Sequence, residues 1–214
     1  MKLYDFPLAP NPLRVNLFVA EKGLEIERVI VDLSKQEQLK PEYVAKNPVA
    51  DVPMLELDDG TCISQISGIV RYLEAAYPEP RLLGTTPKEQ GLVAMWENIA
   101  FLHGIIPAAL AYRHSNQFFA DRAELGRKNY GQIPEMAARG RDRIGDFLEL
   151  AEEQLGKSPY LAGDHFSMAD ITLYAVIYFI NWMKIQPGEQ HPHLMEWHQR
   201  VSSRPSIRQM NERK

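Results

Sequence analysis

The spacing of apolar and polar positions changes character once along this chain, near residue 80. Before that point short apolar runs alternate with stretches at helical spacing. Strands are predicted at Lys2 to Phe6, Glu27 to Val31, Met54 to Leu57 and Thr61 to Ser64, and helices at Pro12 to about Lys22, Pro41 to Ala45 and Ile66 to Ala76. A polar loop runs through Lys35-Gln36-Glu37-Gln38. This order gives a small mixed sheet with helices packed on it. Pro78-Glu79-Pro80 and Gly84-Thr85-Thr86-Pro87 then interrupt the pattern, because closely spaced proline and glycine halt helices on both sides.

Beyond Pro87 strand signals largely vanish. Leu92, Met95, Trp96, Ile99 and Leu102 recur at helical spacing and read as an apolar stripe, the first of several in an all-helical region. Ser167 and Asp170 form a Ser-x-x-Asp capping box, with Phe166 and Ile171 placed as its hydrophobic staple. The longest apolar stretch, Ile171 to Met183, falls short of the roughly 20 residues that span a bilayer and reads as a core helix. The expected division is 1–78, a linker at 79–87, and 88–214.

With Lys+Arg 24 against Asp+Glu 28, the net charge of -4 offers no global field to recruit nucleic acid or an anionic membrane. Arg122, Arg127, Lys128, Arg139, Arg141 and Arg143 are interspersed with acidic residues, which marks a solvated helical face. The single cysteine, Cys62, excludes an internal disulfide, a cysteine zinc cluster and a Cys-x-x-Cys pair, and reads as a small buried residue in a hairpin strand. His191, His193 and His198 lack a carboxylate or cysteine pattern to complete a site, so no metal is expected. The chain begins directly with a strand, without a basic segment leading into a long apolar one, so a cytoplasmic protein is expected, with no membrane partner.

The candidate chemistry lies in Asn47-Pro48-Val49-Ala50-Asp51-Val52-Pro53-Met54-Leu55, the turn Asp58-Asp59-Gly60, and Gln65-Ile66-Ser67-Gly68-Ile69-Val70-Arg71-Tyr72-Leu73. Pro53 cannot donate to a sheet ladder, so the backbone before it is free to bind something else. Asp-Gly is a hairpin signal, and the helix opening after it attracts a carboxylate. One extended peptide could meet both. These segments resemble the glutathione S-transferases, whose pattern is Asn-Pro-x-Gly-x-Val-Pro, then Asp-Gly, then Glu-Ser-x-Ala-Ile-x-x-Tyr-Leu. Tyr160-Leu161-Ala162-Gly163-Asp164 followed by Phe166-Ser167-Met168-Ala169-Asp170 resembles the start of the family's second-domain core helix.

The resemblance covers nearly the whole chain and implies an α/β N-terminal thioredoxin-like domain with a mixed four-stranded sheet, followed by an all-α C-terminal domain lining a hydrophobic pocket. It also implies glutathione as co-substrate, a small hydrophobic electrophile, a homodimer and a role in detoxification. On its terms Val52-Pro53 is cis, with the Val52 N–H and C=O turned outward to pair with the cysteinyl unit. Gln65 and Ile66 hold the γ-glutamyl end, Gln65 both accepting from the ammonium and donating to the carboxylate, and Ile66 through its backbone N–H; a register shift placing Ser67 there is the weaker alternative. Gln38 reaches the glycine carboxylate, with Lys40 and Lys35 as charged alternatives.

Thiol activation departs from the pattern. Ala9 stands where many members carry a serine hydroxyl, and the cysteine of other classes is missing too. Asn11 is the leading catalytic candidate, as a neutral donor at the start of a helix beginning at Pro12; capping that helix is its other reading, and the two are compatible. Tyr4 reads as strand packing. Three functions fit: a transferase directing the thiolate to an electrophile, a glutathione-dependent disulfide reductase or peroxidase, and a non-catalytic binding module.

Overall fold

The computed structural model describes residues 1–7 and 9–212. Leu8 and residues 213–214 lie outside the described residues. Strands β1 (Lys2–Asp5), β2 (Glu27–Ile30), β3 (Met54–Glu56) and β4 (Cys62–Ser64) form one sheet of order β2-β1-β3-β4. β1 runs parallel to β2 and antiparallel to β3, and β3 pairs antiparallel with β4, so the expected mixed sheet is present. Between β1 and β2 lies α1 (Pro10–Glu21), and α3 (Ile66–Ala76) follows β4.

Alternation along the strands sorts the core onto two faces. Leu3 and Leu55 are buried with Leu13, Leu17 and Phe18 of α1 and Ile69 and Leu73 of α3, in a cluster continuous with the helical region. Val31, Val52 and Met54 form a smaller cluster with Tyr43 of α2 (Pro41–Lys46). The predicted polar loop instead contains two single 3₁₀ turns, Leu33–Lys35 and Glu37–Leu39, because the Asp32 carboxylate caps the first one by accepting from the Ser34 and Lys35 N–H groups.

After the strands come α4 (Pro87–Ala100), a π-helical turn at Phe101–Ile105, α5 (Ile106–Arg113), α6 (Pro134–Leu155), α7 (Met168–Asn181), α8 (Pro192–Ser202) and α9 (Pro205–Glu212). Pro107, which has no N–H to offer the preceding turn, is the second residue after the π-turn. Within that turn Gly104 is required by packing: a Cβ there would stand 2.6 Å from Val176 Cγ2 and 2.9 Å from Phe147. In α7 every residue except Tyr178 and Asn181 is buried, as the core-helix reading expected.

The stripe read from Leu92, Met95, Trp96, Ile99 and Leu102 is only in part the face that the helix buries. Val93 and Ala100 are inside and Trp96 and Ile99 pack against the core half-buried, whereas Met95 and Leu102 are 45% and 44% exposed. Small residues at positions 100 and 104 allow α4 and the π-turn to approach α7 closely, which leaves Met95 and Leu102 outward. By length and composition alone the continuous helix Pro87–Arg113 could cross a membrane; here it is the central helix against which α6 and α7 pack.

Asp170 joins three segments of the helical region. One carboxylate oxygen accepts from the Leu161 N–H (2.9 Å) and the Trp197 indole N–H (2.9 Å), and the other from the Ser167 N–H (3.0 Å) and hydroxyl (3.1 Å). Trp197 and Leu161 are fully buried, so neither N–H could turn to water instead. Asp170→Ala is expected to lower unfolding free energy by about 3 kcal/mol in urea denaturation; a change below about 1 kcal/mol would show that these donors find other partners.

Candidate functional site

Sheet register brings the motif segments to one end. β1 and β3 pair with Tyr4 opposite Met54, so continuing the antiparallel register sets Phe6 level with Val52. Ser64 pairs with Met54, which sets Gln65 beside Pro53. β2 is parallel to β1, so the turns holding Gln38 also follow that end. The starts of α1 and α3, the Val52-Pro53 step and the 33–39 turns therefore surround the carboxyl end of β1, the position where open α/β sheets accept ligands.

Helix α1 begins at Pro10, two residues before the expected start, because extended Ala9 serves as its N-cap and the Leu13 N–H bonds to the Ala9 carbonyl (3.0 Å). Asn11 is thus inside the first turn and is not the cap. Its side-chain oxygen accepts from Arg14 Nη1 (3.0 Å). A guanidinium can only donate, so the oxygen must face it, leaving the amide NH2 unpartnered among the described residues. Arg14 is itself buried, donating to Thr172 Oγ1 (3.1 Å) and to Glu97, with Phe101 stacked 5.2 Å from the guanidinium. Burial pushes its pKa down to about 10, with Glu97 opposing, so it stays charged at neutral pH.

Val52-Pro53 is cis, and neither the N–H nor the C=O of Val52 has a hydrogen-bond partner among the described residues. The preceding loop is held rigidly: Asn47, fully buried, donates to the Asp51 carbonyl (2.9 Å) and carboxylate (2.8 Å), while the Tyr43 hydroxyl also donates to that carbonyl (2.6 Å). Ala50 stands at the family's glycine position with φ +59°, the left-handed region glycine favours.

Gln65 shares its amide between the fold and the site. Nε2 donates one N–H to Asp51 Oδ2 (2.9 Å), which leaves its oxygen and its second N–H for a ligand. It also carries φ +69° and ψ 136°, which side-chain-bearing residues rarely adopt and which are found mainly at functional sites. Ile66 buries its side chain in the core, while its N–H and that of Ser67, at the open start of α3, have no partner among the described residues. Asp51 was missed as a site residue from sequence, while the exposed Ser67 had been only the weaker alternative to Ile66. The one signal for Asp51 was a carboxylate two residues before the special proline.

Gln38 was expected in a polar loop yet is 7% exposed, and its side-chain oxygen is buried without a partner. Tyr4 is occupied elsewhere, donating to Glu56 (2.7 Å) and accepting from Lys46 (2.9 Å). Cys62 is half-buried, not buried, because β4 is an edge strand, and burial together with Glu56 pushes its thiol pKa up. No group of three metal-ligating side chains occurs among the described residues. His191 accepts from the Gly188 N–H (3.3 Å), and His198 stacks on Tyr174.

The family model for the glutathione S-transferase N-terminal domain matches residues 1–75, and the C-terminal domain model matches residues 105–205. The chain is 36% identical over 214 residues to glutathione S-transferase 2 of Saccharomyces cerevisiae, covering 99% of this chain and 90% of that protein. The crystal structure of Gtt2 from Saccharomyces cerevisiae superposes with a TM-score of 0.90 at 36% identity, over 98% of this chain and 100% of that one. The beta-etherase LigF from Sphingobium sp. strain SYK-6 superposes with a TM-score of 0.80 at 27% identity, over 100% and 99%.

The left-handed backbone at position 65 has a measurable consequence. Gln65→Gly is expected to be more stable than Gln65→Ala by about 1 kcal/mol or more, the strained backbone adding to the preference that glycine already has over alanine at an N-cap. Chemical denaturation of the two variants checks this, and an alanine variant as stable as the glycine one would remove the strain.

Proposed function

We propose, taking as premise that this chain belongs to the glutathione S-transferase family, that it binds glutathione at the carboxyl end of β1 and directs the thiolate to a hydrophobic electrophile. The observation that carries this reading is the free N–H and C=O pair of Val52, flanked by unpaired donors at the start of α3. A short extended peptide adding to that backbone would pair as an extra strand does. In this reading residues 1–78 form the glutathione-binding domain, 79–87 the linker and 88–214 the domain lining the electrophile pocket. The assembly is a homodimer, for which the outward apolar stripe with Met95 and Leu102 offers surface.

Each group then has a task suited to its chemistry. The Val52 N–H and C=O pair with the cysteinyl unit. The Ile66 and Ser67 N–H groups, at the positive end of α3, receive the γ-glutamyl carboxylate. The Gln65 oxygen accepts from the adjacent ammonium, with the Asp51 carboxylate supplying negative charge behind it. Gln38 meets the glycyl end, where its buried oxygen calls for an N–H donor.

The free Asn11 NH2 donates to sulfur. A thiol of pKa near 8.5 is mostly protonated at neutral pH, and lowering it by about two units requires roughly 2.7 kcal/mol of interaction selective for the anion. One or two charge-assisted hydrogen bonds at the start of α1 are of that size. With Ala9 at the helix start and the Tyr4 hydroxyl committed to Glu56, no hydroxyl competes for this role there. The same arrangement suits thiol–disulfide exchange, so a glutathione-dependent reductase is the second reading.

Retention on a glutathione-affinity column, followed by assay with an aryl halide, an organic peroxide and a mixed disulfide, tests these readings. Aryl halide turnover supports the transferase, turnover of only the other two supports the second reading, and absence of retention overturns both. Asn11→Ala is expected to raise the pKa of bound thiol by about one unit, read from thiolate absorbance against pH; an unchanged titration removes Asn11 from the site. Gln65→Ala is expected to weaken glutathione binding roughly five- to tenfold by calorimetry, and unaltered affinity would refute its role.

A further inference from the structure

Two arginines border the segment between α5 and α6, and they are used differently. Arg122 is satisfied within the segment, donating to Asn129 Oδ1 (2.9 Å) and to the Gly126 carbonyl (2.7 Å). Arg113, the last residue of α5, is partly buried and makes no side-chain hydrogen bond or ion pair with any described residue. Its guanidinium lies 5.6 Å from the Phe119 ring, which supports one face of the plane and satisfies none of its N–H donors. Burial pushes its pKa down to about 10, with Glu124 opposing, so it is charged at neutral pH. The Glu124 carboxylate is already bonded to His114 Nε2 (3.1 Å).

The surroundings of Arg113 are built. His114 Nδ1 accepts from the Ile133 N–H (2.9 Å), which places the ring proton on Nε2 facing Glu124. Gln132 donates to the carbonyls of Arg113 and Asn116, both at 2.7 Å. The neighbouring side chain, Tyr112, packs edge-on against Phe119, Phe179 and Trp182, making an aromatic wall. The segment so anchored reaches the sheet end: Arg127 shares a cavity of about 530 Å³ with Leu39, Pro41, Val44 and Ala45. A charged fork with unused donors thus stands beside an aromatic wall, at the root of the segment whose Arg127 meets Leu39 and α2 at the sheet end.

We propose that Arg113 binds an anionic group on the second substrate, so that the preferred electrophiles are aromatic compounds bearing a carboxylate. This rests on the transferase reading above. A planar fork pairs with a carboxylate through two parallel hydrogen bonds, and the aromatic wall takes the ring. In the reaction the glutathione sulfur attacks the ring carbon bearing chlorine, the C–S bond forms, and chloride leaves with the bonding pair.

The test compares 4-chloro-3-nitrobenzoate with its methyl ester, using glutathione and the full chain as wild type, Arg113→Gln and Arg113→Lys. The ratio of kcat/KM for carboxylate over ester is expected to fall about tenfold or more in Arg113→Gln and to recover in part in Arg113→Lys. A separate arm measures calorimetric binding of unreactive 4-methyl-3-nitrobenzoate against the corresponding benzamide, without glutathione. Arg113-dependent preference for the carboxylate there, with no turnover of either chloride, would support the anion site while overturning the transferase reading. An unchanged ratio, an equal loss for both substrates, no carboxylate preference in wild-type binding, or a raised pKa of bound glutathione thiol in Arg113→Gln would each overturn the proposal, the last by making sulfur the anion that Arg113 serves.

Discussion

A buried cation on the first helix constrains the rest of this structure. Arg14 lies 1% exposed between the sheet and the helical region, and an unpaired charge there would be far too unfavourable to persist. It must therefore find acceptors, and it takes them from both sides: Glu97 of α4 and Thr172 of α7 from the helical region, Asn11 from its own helix. The relative placement of the two regions is tied to the same group that orients the Asn11 amide. Farther along α1 two more pairs repeat the principle, with Glu21 accepting from Arg204 (2.8 and 2.7 Å) before α9 and Lys22 donating to the carbonyls of Tyr77 (2.8 Å) and Pro80 (2.7 Å).

Polar groups at the sheet end divide into those spent on architecture and those left over. Asn47, Tyr43 and the Asp51 carbonyl consume one another's hydrogen bonds, which makes the Val52-Pro53 approach rigid. Gln65 gives one N–H to Asp51, and Asn11 turns its oxygen to Arg14. What remains is complementary to a peptide with charged ends: a backbone donor and acceptor at Val52, donors at the start of α3, an acceptor on Gln65 and a donor on Asn11. An unpaired backbone group near a folded core is uncommon, and several converging at one sheet end point to a ligand. Arg113 extends the same logic to the helical region, where its neighbour Arg122 shows that satisfaction within the chain was available.

Most strand and helix positions in the first region were legible because alternation, Asp-Gly and proline act locally, and β1, β3 and α3 fall within a residue or two of their expected bounds. The family pattern was readable for the same reason, as a string of neighbouring residues. Errors arose where a residue's role depended on a distant partner. Asn11 looked like a cap because Asn-Pro is a local signal, but Arg14 and extended Ala9 reassign it. Gln38 looked solvated because its neighbours are polar, although the fold buries it. The bulky stripe on α4 looked like a core face, yet Ala100 and Gly104 decided which side approaches α7.

Sequence alone thus determined the order of elements, the helical character beyond Pro87 and the family, since each is written in contiguous residues or in the period of hydrophobicity. The tertiary structure decided which hydrogen-bonding atoms are free. That choice separates the two ends of one amide on Asn11 or Gln65, and an arginine that is satisfied from one that is not. Freedom of this kind is what remains after partners as distant as Glu21 and Arg204, 183 residues apart in sequence, have been matched, and no local pattern encodes that remainder.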